Sequence, residues 1–203
     1  MTESSFQEID GRKLRDFFHG CLQQTGWPER AEVRFDQGIW KFIEQNHTFN
    51  TILWRQEDLA RRLQAPAEEI VANKRAIDRH NQLRNDSIEQ MDRLILAQLA
   101  DIKPVPQAWH NSETAGAIID RLSILSLKVH HMGLQIERGD VTDEHRLQSR
   151  EKHTQLLYQQ EDLERCLDRL LSACAAGQAF FKIYRQHKMY NDPRFNPLIH
   201  ASC

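Results

Sequence analysis

The chain has 203 residues, 40% of them hydrophobic and 28% charged, with a formal net charge of −2 and both signs interspersed. That length supports one substantial core, and the balance excludes a disordered chain and a general nucleic-acid binder. Eight glycines and six prolines are too few for a turn-rich sheet fold, so helix is expected.

In chain order, Phe6 to Gln24 carry Ile9, Leu14, Phe17, Phe18 and Cys21 at near-helical spacing, interrupted by Gly11; TGWPE (25–29) reads as a turn. A long helix is expected from about Arg34 to Leu63, broken by QAPAEE. There Pro66 suits the first turn of the next helix, and Glu68 and Glu69 complement its N-terminal dipole. The second long helix runs to about Leu99, and DIKPVPQAWHN is a loop. Ser112 reads as the N-cap of a third helix that is apolar over most of its circumference, and therefore the most buried, ending at Gly139. Thr142 or Asp143 caps a fourth helix running to Ala176, closed by Gly177. The aromatic-basic segment FFKIYRQHKMY then leads into NDPRFNP, read as a packed C-terminus in preference to a lid. The expected fold is all-α: an antiparallel helical bundle of about four long helices plus an N-terminal helix and a C-terminal aromatic-basic tail. It is a single domain, with residues 1–32 packed on the bundle of residues 33–203.

Cys21, Cys166, Cys174 and Cys203 form no CxxC pair, which argues against a zinc site or disulfide framework. Cys166 and Cys174, eight apart, read as core thiols. The opening MTESSFQEID lacks a basic and an apolar leader region, and no apolar run approaches the roughly 18 residues of a membrane span. The expected location is cytoplasmic, with no membrane span and no nucleic acid as partner.

Sampled at about 100° per residue, the apolar stripes contain polar intruders. On the first long helix the stripe is Ile39, Phe42, Phe49, Leu53 and Ala60. Asn46 and Glu57 fall inside it, with Asn50 and Arg61 at its edge. On the second, Asn81 and Arg84 fall within Ile70, Ile77, Ile88, Met91 and Ile95; Lys74, Asn85 and Asp92 line one edge, with Asp78 further round. The third helix has an aliphatic stripe from Ile118 to Ile136 and a second stripe holding Glu113, Asp120, Ile124 and His131. Burying such groups is costly unless they pair. They form either a closed network that fixes helix register or a cavity whose polar groups a ligand completes.

The chemistry on offer is narrow. The one ExxH pair, Glu44 to His47, falls on the outward side of its helix, and HExxH is absent. Glu57, Asp78, Glu113 and Asp120 could hold a magnesium ion only if brought together, and no metal site is assigned. GxSxG, the Rossmann fingerprint and the P-loop are absent, so no cofactor is named. Anion binding fits better: Lys74, Arg84 and Arg61 as a clamp, Asn81 and Asn85 orienting, and Glu57, Asp120 and His131 as catalytic acid–base groups.

The segments NTILWRQEDLARR (50–62), KRAIDRHNQLRNDSIEQMD (74–92), SETAGAIIDRLSILSLKVHHM (112–132) and KMYNDPRFNP (188–197) resemble, in order, a bacterial family known as domain of unknown function 4254, over about residues 33–200. The resemblance implies a helical fold. It adds Lys128 to the ligand-binding set, which is then Asn46, Asn50, Arg61, Lys74, Asp78, Asn81, Arg84, Asn85, Glu113 and Lys128. Members are often found beside genes for glycosyltransferases and cell-envelope polysaccharide assembly. The expected function is therefore an interior site for an anionic small molecule, a sugar phosphate or nucleotide sugar. The alternative is a non-enzymatic adaptor docking on a glycosyltransferase through exposed Trp54, Phe180, Phe181 and Tyr184, with the polar residues as a structural network.

Overall fold

The computed structural model describes residues 9–30, 33–184 and 194–196. Five helices follow in order: α1 (Gly11–Gln23), α2 (Gly38–Ala60), α3 (Ala67–Gln98), α4 (Ala115–Glu137) and α5 (Asp143–Ala175). The fold is an all-α bundle. Its strands are two-residue pieces, β1 (Trp109–His110) and β2 (Ala179–Phe180), which pair in parallel.

Helix α1 starts five residues later than periodicity suggests, because Asp10 caps it by accepting a bond from the Lys13 amide at 2.7 Å. Residues 6–8 lie outside the described ones. Gly11 is the helix's first residue rather than an internal weakness. A Cβ there would meet the Glu164 Cβ at 2.5 Å, and its amide donates to Asp168 Oδ1 at 2.8 Å. The missing side chain lets α1 lie directly on α5.

Helices α2 and α3 pack against each other as a hairpin, as do α4 and α5, and α4 touches all four other helices. Its apolar circumference explains that place. The core joins Leu14 and Phe18 of α1, Ile43 of α2, Met91 and Ile95 of α3, Ile119 and Leu122 of α4, and Leu167 of α5. The cap of α4 is Thr114, which accepts from the Ala117 amide at 3.1 Å; Ser112, two residues earlier, is exposed. Thr142 caps α5, and Gly177 (φ +69°) follows it.

The loop before α4 and the chain after α5 are tied to each other. Val105 N donates to Gly177 O, Trp109 N to Gln178 O and Asn111 N to Phe180 O, all within 3.1 Å. Two-residue strands carry no alternation to read, which is why DIKPVPQAWHN reads as a loop and no strand is expected after α5. The pairing sends Phe181 into the core and leaves Lys182, Ile183 and Tyr184 against α3 and α4. No helix among the described residues is long and apolar enough to cross a membrane.

Candidate functional site

The polar intruders converge where α2, α3 and α4 meet. Asp120, 3% exposed, is the centre. Asn46 and Asn50, one turn apart on α2, direct Nδ2 at its Oδ1 from 2.9 and 3.0 Å. Arg84 of α3 grips it in a fork, Nε to Oδ1 at 2.8 Å and Nη2 to Oδ2 at 2.5 Å. Asn50 also reaches Asn46 Oδ1 and Ser123 Oγ, while Ser87 accepts from Asn46 and donates to Arg84 O. With four N–H donors on its carboxylate, three on Oδ1 and one on Oδ2, Asp120 is an anchor.

Arg84 faces two ways. A guanidinium has five N–H donors, and two are used on Asp120, so three remain. Its side chain is 27% exposed while that of Asp120 is 4% exposed. It lines an open cleft of about 1030 Å³ on one side and a cavity of about 350 Å³ on the other.

The cleft lies between α3, the start of α4 and the segment after β2. Its walls include Asn85, Asp92, Arg93, Glu113, Asp120, Arg121, Lys182 and Tyr184. Arg121 pairs with Glu113 at 2.7 Å and Arg93 with Glu89 at 2.5 Å. Lys182 meets no carboxylate among the described residues; its ammonium lies 5.7 Å from the Phe180 ring centre. Asp92 is 2% exposed and accepts the Gly116 amide at 2.6 Å, so it ties α3 to the first turn of α4. Burial pushes its carboxyl up to about 6, against the bonds from Thr114 and Gly116 that favour the charged form. A Cβ at Gly116 would meet Asp92 Oδ1 at 2.7 Å and Ile88 O at 2.8 Å, so only glycine permits this approach.

The 350 Å³ cavity holds Asn50, Glu57, Arg61 and Asn81, with Arg61 bonded to Glu57 at 2.9 Å. His131 and Lys128 line a separate groove, where the His131 ring stacks on Trp54 at 4.6 Å. Glu57, Asp120 and His131 therefore face three different spaces rather than one reaction centre. Lys74 and Asp78 pair with each other in solvent and line none of these cavities. The first turns of α3 are mostly exposed, which carries both residues away from Arg84. Of the expected clamp, Arg61 and Arg84 line the 350 Å³ cavity together, while Lys74 stands apart from it.

Three expectations about burial are corrected. Glu44 and His47, expected to face outward, are buried because α1 and residues 24–30 and 33–35 cover that face of α2. Glu44 accepts the Arg34 and Phe35 amides. His47 Nδ1 lies 2.8 Å from Ser123 Oγ, and its ring packs between Phe18 and Trp27. Burial pushes it down to about 3, so it is neutral. Neither His47 nor Ser123 lines the cleft, the 350 Å³ cavity or the His131 groove, and both are fully buried. Cys166 is exposed; Cys21 and Cys174 are buried thiols held up at about 12 and 11. Among the described residues no three His, Cys, Asp or Glu groups gather as a metal site, so Glu57, Asp78, Glu113 and Asp120 do not converge. Arg93 of α3 and Arg121 of α4 are not among the expected site residues. Lys182 and Tyr184 belong to the segment expected as a packed C-terminus, and the β1–β2 tie is what brings them to the cleft. Asp92 was visible as an edge residue.

The family model described as "Protein of unknown function (DUF4254)" matches residues 40–183. The chain belongs to the DUF4254 family. The DUF4254 match contains the segments 50–62, 74–92 and 112–132, which supply the three walls around Arg84 and Asp120. It stops short of KMYNDPRFNP (188–197), most of which lies outside the described residues. No curated protein matches the chain, and no solved structure does.

Proposed function

We propose that this protein binds an anionic sugar derivative, a sugar phosphate or nucleotide sugar, in the cleft between α3, α4 and the chain after β2. The observation that carries this reading is Arg84. A buried carboxylate fixes its guanidinium in place, yet three donors remain uncommitted beside a cleft of about 1030 Å³. A guanidinium held in position before the ligand arrives loses little entropy on binding an anion. Lys182, with no carboxylate partner among the described residues, supplies a second positive charge to the same space. The remaining walls suit a polyol, since Asn85, Glu113 and Thr114 can exchange hydrogen bonds with hydroxyls and exposed Tyr184 offers a ring face. Asp92, raised to about 6 by burial, is the cleft's acid–base candidate. We place this role in the bacterial cytoplasm, in the supply of cell-envelope polysaccharide assembly.

The docking alternative finds less support. Phe181 is buried in the core, Phe180 stacks on His110 and Trp54 stacks on His131, so those aromatics do not form one exposed patch.

The test is a thermal-shift screen of the full chain against hexose phosphates and nucleoside-diphosphate sugars. A rise in melting temperature with a hexose phosphate, lost in Lys182→Ala and Arg93→Ala, is the expected result. No shift with any sugar phosphate, together with stoichiometric recovery of a protein partner in a pull-down, overturns it in favour of the adaptor.

A further inference from the structure

A second space in the molecule has a different chemistry. It is a groove of about 450 Å³ between the second half of α4, the middle of α5 and the Trp54 turn of α2. Trp54 and His131 line it with their rings parallel, centres 4.6 Å apart and planes within 2°. Lys128 and His131 of α4, and Lys152 of α5, present nitrogen bases to it, and Gln135 and Gln159 add amides. No carboxylate of the described residues lines it, and neither Lys128 nor Lys152 has an acidic partner among them. In a chain of net charge −2, two lysines without a carboxylate in the groove are a local excess of positive charge beside an aromatic wall. Burial first, then His130 and Arg55, lower the His131 pKa against the opposing pull of Asp58, which favours the neutral imidazole, suited to stacking rather than to adding a third charge.

We propose that this groove is a nucleoside-phosphate site: a planar base packs on the Trp54–His131 stack and its phosphates lie on Lys128 and Lys152. A flat ring with polar edges matches an aromatic wall flanked by glutamine amides. A phosphate matches two ammonium groups without a competing carboxylate. The volume falls in the range of small-molecule pockets, about 300–1,000 Å³. This site does not depend on the reading of the Arg84 cleft, because none of the residues that carry it lines that cleft.

The experiment is calorimetric titration of the full chain with uridine diphosphate and adenosine diphosphate, compared with pyrophosphate and uridine alone, with tryptophan fluorescence followed in parallel. Expected are saturable binding of a diphosphate nucleotide, quenching that disappears in Trp54→Phe, and binding roughly tenfold weaker or more in the Lys128→Glu, Lys152→Glu double variant. Both lysines are exposed, so that variant should keep the native melting temperature. Arg93→Ala and Lys182→Ala should leave this binding unchanged. Three results overturn the proposal: no saturable nucleotide binding, pyrophosphate binding as tightly as the nucleotide, or nucleotide binding lost only in the cleft variants. The last result leaves the cleft reading standing, and loss of hexose-phosphate binding alone leaves this one standing.

Discussion

Arg84 and Asp120 form a pair in which one partner is almost wholly buried and the other reaches solvent. Its worth as an attraction is modest, but breaking it strands a carboxylate among amides that have no other charge to balance it. Arg84→Ala should therefore cost about 3 kcal/mol, toward the lower end of the range for such losses because the guanidinium is partly exposed. Denaturant unfolding of the two single variants and of Arg84→Ala, Asp120→Ala should give a coupling of about 1–3 kcal/mol; a value near zero would remove the pair from the account. The same reasoning shows why Arg84 is a poor probe of ligand binding and rim residues such as Lys182 are better ones. Thiol chemistry offers a second residue-scale check. Of the described cysteines, native protein at pH 8 should label at Cys166 alone, since burial keeps the Cys21 and Cys174 thiols protonated.

Between elements, two glycines set distances that no side chain could. Gly11 lies against Glu164, and Gly116 lies against Asp92 and the Ile88 carbonyl. Gly116→Ala should push α4 from α3, with a loss of about 2 kcal/mol by chemical denaturation, because the contacting atoms include backbone that cannot yield. It should also widen the cleft at the Asp92 wall and weaken any ligand held there. A glycine inside a helical pattern ordinarily reads as a weakness of about 1 kcal/mol relative to alanine. Here the close approach of two helices reverses that sign, and nothing in the letters around Gly11 or Gly116 distinguishes the two cases.

Across the whole molecule, two buried groups pull the pH dependence of stability in opposite directions. His47 is lowered from 6.5 to about 3, so the folded state binds fewer protons than the unfolded one between those values. Its contribution is present above pH 6.5 and is lost as pH falls toward 3. Asp92 is raised from 3.8 to about 6, so the folded state there binds more protons, and stability falls as pH rises through that window. Asp92→Asn should consequently melt above the native protein at pH 7.5, with the difference shrinking below pH 4. A lower melting temperature at pH 7.5 would show that the charge on the α4 N-terminus outweighs its burial cost.

Periodicity made the helices legible, together with most of their stripes, because a 3.6-residue repeat is a local property of the chain. It also marked Asn46, Asn50, Arg84 and Asp120 as polar residues on apolar faces, and these are the residues that meet. The order of the elements, the Thr142 cap and the family segments were likewise present in the sequence. What a stripe cannot show is which stripe lies opposite which, or where along a helix its partner ends. Lys74 sits on the same edge as Asn85 and Asp92, yet it points into solvent because the first turns of α3 are mostly exposed. Glu44 and His47 sit on an outward face only until α1 covers it. The cleft wall of Lys182 and Tyr184 exists because a two-residue parallel tie, too short to leave a pattern, holds the chain after α5 against α3 and α4. The sequence by itself determined the helices and the polar residues they carry. The tertiary structure decided that Asp120 is an anchor, that Arg84 is its outward face, and that Glu57 and His131 belong to other spaces, since distance between helices is not encoded in spacing along any one of them.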